Sequence, residues 1–71
     1  SLEFEVFPNP ASEQIMVKTS SMRDLEIFNA VGQLVRSEKD VQNGRVINVS
    51  NLEAGLYFIK SGEAIQKLIV E

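Results

Sequence analysis

The sequence predicts an all-β domain, a small immunoglobulin-like antiparallel sandwich of about seven strands. Three observations predict it. Apolar and polar residues alternate over short runs, the period of a half-buried strand. Turn residues separate those runs at intervals of roughly 8–12 positions, as in sandwiches and barrels. No segment carries a sustained 3.6-residue stripe, so helix is limited to a single turn.

Taken in order, EFEVF at 3–7 is the first strand. In "PNPAS", Pro8 and Pro10 have no N–H to give to a ladder, so the segment is a connection. In EQIMVKT, 13–19, Ile15 and Val17 alternate with Gln14, Met16 and Lys18. After the turn "SSM", Leu25 and Ile27 alternate with Asp24, Glu26 and Phe28 in RDLEIFN, 23–29. "NAVG" reads as a hairpin in which Gly32 takes a positive φ. QLVRSEK, 33–39, is the return strand, and "DVQNG" is a turn on the strength of Asn43-Gly44. RVINVS, 45–50, sets Ile47 and Val49 on one face. Ser50-x-x-Glu53 has the form of a capping box, which allows one helical turn over 50–54. GLYFIKS, 55–61, and AIQKLIV, 64–70, form the last pair around Gly62-Glu63.

Leu52-x-x-Gly55-x-Tyr57 spans the corner between two of these strands. In immunoglobulin-like sandwiches a tyrosine near the start of a late strand sends its hydroxyl back to upstream backbone. On that reading Leu52 plugs the core, Gly55 lets the chain turn or the ring pack over it, and Tyr57 buries its ring. The competing reading is an exposed tyrosine that stacks on a ligand.

Composition narrows the function. A chain of 71 residues holds one domain. A domain of this size buries only ~60% of its unfolded surface. With no cysteine there is no disulfide to supplement the core, so stability rests on regular packing. With no histidine or cysteine, the nucleophilic triads, thiol redox pairs and His/Cys zinc sites are excluded. No cofactor, metal site or enzymatic activity is expected. The carboxylate pairs Asp24 with Glu26 and Glu38 with Asp40 are each two residues apart on a strand. They are expected on a solvated face opposite the core residues. The net charge is −3, with seven basic residues scattered singly, which argues against a nucleic-acid face. No apolar run approaches the ~20 residues of a membrane span.

Asn48-Val49-Ser50 matches a glycosylation sequon that chance readily produces. Phe4, Phe7, Phe28 and Phe58 are expected mostly as core or sheet cover, with a sugar-stacking row as the alternative. Ser1-Leu2-Glu3 lacks the basic start of a signal peptide, and the abrupt opening suits a piece of a longer protein. The domain is expected over residues 3–70, with Ser1, Leu2 and Glu71 open to being additions.

"VFPNPASEQIMV", "LEIFNAVGQLV", "INVSNLEAGLYFIK" and "QKLIV" occur in that order along nearly the whole chain. Together they resemble the C-terminal sorting domain of the type IX (Por) secretion system of Bacteroidetes, type A family. Pro8-Asn9-Pro10 matches the family's opening turn, Gly32 its central hairpin, and Gly55 with Tyr57 its Gly-x-Tyr corner. Lys67, Leu68, Ile69 and Val70 match its basic-then-aliphatic final strand, the expected sorting element. The loop Ser61 to Ala64 is shorter than usual, and Glu71 stands where the family often has a basic residue or stops.

The resemblance implies an immunoglobulin-like sandwich at the end of a larger cargo protein. It implies transit of the periplasm, recognition by the outer-membrane translocon and delivery to the cell surface or medium. A surface protease of sortase-like role commonly removes such domains. The alternative is a fibronectin-like or carbohydrate-binding accessory module of a secreted glycan-degrading enzyme.

Overall fold

Alternating sequences pair best where each strand shows one apolar face to a shared core. The computed structural model describes residues 3–71 and shows that arrangement. Seven strands form: β1 (Phe4–Phe7), β2 (Gln14–Thr19), β3 (Arg23–Asn29), β4 (Leu34–Val41), β5 (Val46–Asn48), β6 (Gly55–Ser61) and β7 (Ala64–Val70). They make a three-stranded sheet, order β1-β2-β5, and a four-stranded sheet, order β4-β3-β6-β7. Every strand pairing is antiparallel. The first, second and fifth strands thus face the third, sixth and seventh, as in immunoglobulin-type sandwiches, and β4 extends the sheet beyond β3.

The expected alternation sets the core. Ile15 and Val17 of β2 and Leu25 and Ile27 of β3 are fully buried, as are Ile59 of β6 and Leu68 of β7. Each such side chain contributes ~1.5–3 kcal/mol of transfer free energy. Phe4 completes the core, whereas Phe7 lies on the surface and Phe28 and Phe58 are half-buried.

The hairpin between β3 and β4 follows the expected chemistry. Asn29 Oδ1 accepts the N–H groups of Val31 and Gln33, and Gly32 closes the turn at φ 88°. A glycine in the left-handed region after a tight turn is what a three-residue hairpin loop requires.

The structure corrects or narrows four expectations. First, Asp40 and Val41 are strand rather than turn. Val41 pairs with Arg23 and is fully buried, so the apolar side chain extends β4 into the core. The turn comes after them, and Asn43-Gly44 carries the chain from one sheet to the other. Second, no helical turn forms at 50–54. Asn48 Oδ1 accepts both the N–H and the hydroxyl of Ser50, which diverts the would-be cap. Third, of the two roles expected for Gly55 the structure shows the turn, at φ 154°, with open space where a Cβ would stand.

Fourth, Glu38 does not lie on the solvated face. It sits opposite Leu25, as Arg36 sits opposite Ile27, and both partners are core residues. Arg36 and Glu38 therefore turn inward at the open edge of the sandwich. Glu38 pairs with Arg45 at 3.2 Å and Arg36 at 3.7 Å. Arg36 donates to the Asn48 carbonyl at 3.0 Å and to Asn51 Oδ1 at 2.8 Å. Since β4 and β5 belong to different sheets, these contacts close the gap between them. Inward charge also protects a sheet edge from pairing with another chain. Two of the basic residues that look isolated in sequence thus share one carboxylate.

Candidate recognition surface

The last strand, β7, lies at the edge of the four-stranded sheet, where backbone groups ordinarily stay free. Here the connection after β1 covers part of that edge. Asn9 Nδ2 donates to the Lys67 carbonyl at 2.7 Å, and Asn9 Oδ1 accepts the Ile69 N–H at 3.0 Å. Ala11 N–H donates to the Ile69 carbonyl, and Glu71 N–H donates to the Ala11 carbonyl, each at 2.8 Å. Asn9 and Ala11 therefore act as a short eighth strand, with a parallel bridge between Ala11 and Val70. Pro8 and Pro10 fit this segment because its hydrogen bonds come from the side chain of Asn9 and the N–H of Ala11. Part of the final strand's edge is therefore already partnered, at the Lys67 carbonyl, the Ile69 N–H and the Ile69 carbonyl.

The corner after β5 is of the tyrosine type. Tyr57 is buried near the start of the sixth strand, and its hydroxyl donates to the Glu53 carbonyl at 2.6 Å. Leu52 is half-buried against the core. Gly55 has φ 154°, a backbone conformation that side chains with a Cβ rarely adopt. Tyr57 is thus a part of the fold and is not available to stack on a ligand.

The residues expected to carry sorting divide by face. Leu68 and Val70 are buried, while Lys67 and Ile69 are exposed on the outer face of the sheet. Register brings further residues beside them. Leu34, Phe28, Phe58 and Lys67 form one cross-strand row, and Leu56 stands opposite Ile69. This outer face was not legible as a unit in the sequence. Its signal was there nonetheless, because GLYFIKS and AIQKLIV stay apolar at positions that a solvated face would make polar.

The surface offers little for chemistry. Among the described residues, no three acidic side chains gather to hold a metal ion. No helix among them is long and apolar enough to cross a membrane. The depressions between loops are open to solvent and are lined by turn and strand-end residues such as Ser20, Ala30 and Gly44.

No curated protein and no solved structure matches the chain. A family model does: the one described as the secretion system C-terminal sorting domain matches residues 5–71. That match supports sorting over an accessory carbohydrate-binding role, and it spans every strand from β2 to β7 and most of β1. With the edge strand, the corner and the sandwich in place, the chain belongs to the C-terminal sorting domains of type IX secretion, a non-enzymatic family that directs the protein N-terminal to it to the cell surface or the medium.

Proposed function

We propose that residues 3–70 form the address of a larger exported protein in a Bacteroidetes cell, of the type A branch of the family. The cargo crosses the periplasm, the outer-membrane translocon recognises the folded domain, and a surface protease of sortase-like role removes it. The domain itself catalyses nothing and binds no cofactor. The observation that carries this reading is the family match over residues 5–71.

Within the domain, β7 is the element read by the machinery. Lys67 and Ile69 meet the partner, since they are exposed, and Leu68 and Val70 hold the strand in register through the core. Pro8, Asn9 and Pro10 fix the edge of β7. Gly32, Leu52, Gly55 and Tyr57 hold the sheets that present it.

The test is transplantation. Residues 3–70 fused behind a periplasmic reporter should carry it to the surface or medium of a Bacteroidetes host, and removal of residues 67–71 should stop export. A complete fusion that stays in the periplasm of a host with a working translocon overturns the reading.

A further inference from the structure

The outer face of the β4-β3-β6-β7 sheet should be solvated, since the sandwich core lies on the other side. It is not built that way. Leu34, Leu56, Ile65 and Ile69 are each more than a third exposed, and Phe28 and Phe58 lie side by side among them. Neighbours on one sheet face make a continuous patch rather than scattered single residues.

The charges on this face are unequal. Glu26 stands opposite Lys60, and Asp24 is held by Lys39 at 3.8 Å and by the Asp40 N–H at 2.9 Å. Lys67 stands opposite Phe58, flanked along its own strand by Ile65 and Ile69. No ion pair among the described residues involves Lys67. The chain carries net charge −3, yet among the described residues the cation within this apolar patch is paired with no acid.

From this geometry we infer that the outer face is a docking surface for a protein partner that presents a carboxylate within an apolar patch of its own, the carboxylate meeting Lys67. Apolar contact at the centre supplies the burial, and the charge sets register and excludes partners without the acid. A second copy of this chain is a poor occupant. Its matching face brings another lysine, and its acids there already have basic neighbours. The inference rests on the sorting reading, since the partner is a component of the secretion machinery.

The experiment measures export of a reporter fused to the domain, beside the thermal melting of each variant chain. Lys67→Met keeps the apolar stem and removes the charge; Ile65→Glu sets an acid in the patch. Each should lower surface reporter by about tenfold or more, the scale of losing a central contact. Melting should change little, because both residues are exposed. Lys67→Arg should keep export. Met16→Glu, at an exposed apolar position on the opposite sheet, should also keep it.

Wild-type export by Ile65→Glu, or equal loss from Met16→Glu, overturns the docking surface. Wild-type export by Lys67→Met overturns the carboxylate. A chain that dimerises through this face in sedimentation, with Ile65→Glu monomeric, overturns the choice of partner. An unaltered fusion that is not exported defeats the sorting reading itself, and the inference falls with it.

Discussion

Asn9 Oδ1 accepts the N–H of Ile69 at 3.0 Å, across 60 positions of chain. Its amide nitrogen donates to the carbonyl of Lys67 at 2.7 Å. One side chain thereby serves two successive outward positions of the last strand, as a neighbouring strand would. This ties the start of the domain to its final strand, and it sets which backbone groups of β7 a partner can reach.

Asn9→Ala removes both bonds and leaves edge groups to water. It should cost ~1–2 kcal/mol, because each lost hydrogen bond is worth about 1 kcal/mol net. Amide hydrogen exchange gives the sharper reading. Ile69 should lose protection while Leu68, whose side chain is anchored in the core, keeps it. Unchanged exchange at Ile69 would show that the side chain does not hold the edge.

The hydroxyl of Tyr57 anchors the corner through the Glu53 carbonyl at 2.6 Å. Tyr57→Phe keeps the ring and leaves that acceptor without its donor, so it should cost ~1–2 kcal/mol. Urea melts decide, and a midpoint equal to the unaltered chain would contradict the anchor.

Gly55 has open space where a Cβ would stand and a φ of 154°. Substitution is therefore limited by backbone strain and not by contact. Gly55→Ala and Gly55→Val should each cost ~1–3 kcal/mol. They should differ from one another by less than either differs from glycine. A mild Ala variant beside a severe Val variant would point to crowding instead.

The two carboxylates Glu26 and Glu38 look alike in sequence and differ in the fold. Glu38 joins Arg36 and Arg45 between the sheets, and Glu26 faces solvent. Glu38→Gln should cost ~1 kcal/mol, near the upper end for a partly exposed pair. Glu26→Gln should lie within ~0.5 kcal/mol. Chemical denaturation of the two variants side by side checks the contrast.

Much of this architecture was legible from alternation alone. Ile15, Val17, Leu25, Ile27, Ile47 and Val49 are buried where period two placed them. Gly32 and Tyr57 also act as their local sequence implied, because turn and corner chemistry depends on near neighbours. What sequence hid was long-range. That Asn9 completes the edge of β7 depends on the folding of one connection against a strand at the far end of the chain. That Glu38 faces inward follows from the register of β4 on β3, which is shifted between Ile27 and Phe28. A strand's own sequence does not show such a shift, and a one-residue slip exchanges its faces.

The central claim is that the folded sandwich is the sorting signal, and that Lys67 and Ile69 matter because the fold presents them. The most direct measurement is surface export of a reporter fused to the domain carrying Val17→Asp. Val17 is fully buried in β2, so an aspartate there unfolds the domain while leaving residues 64–71 unaltered in sequence. The account predicts that export falls to background along with the folded fraction, measured on the same variant chain by circular dichroism. Export at the unaltered level from the unfolded variant would contradict it, and would show that the final residues are read as a linear sequence.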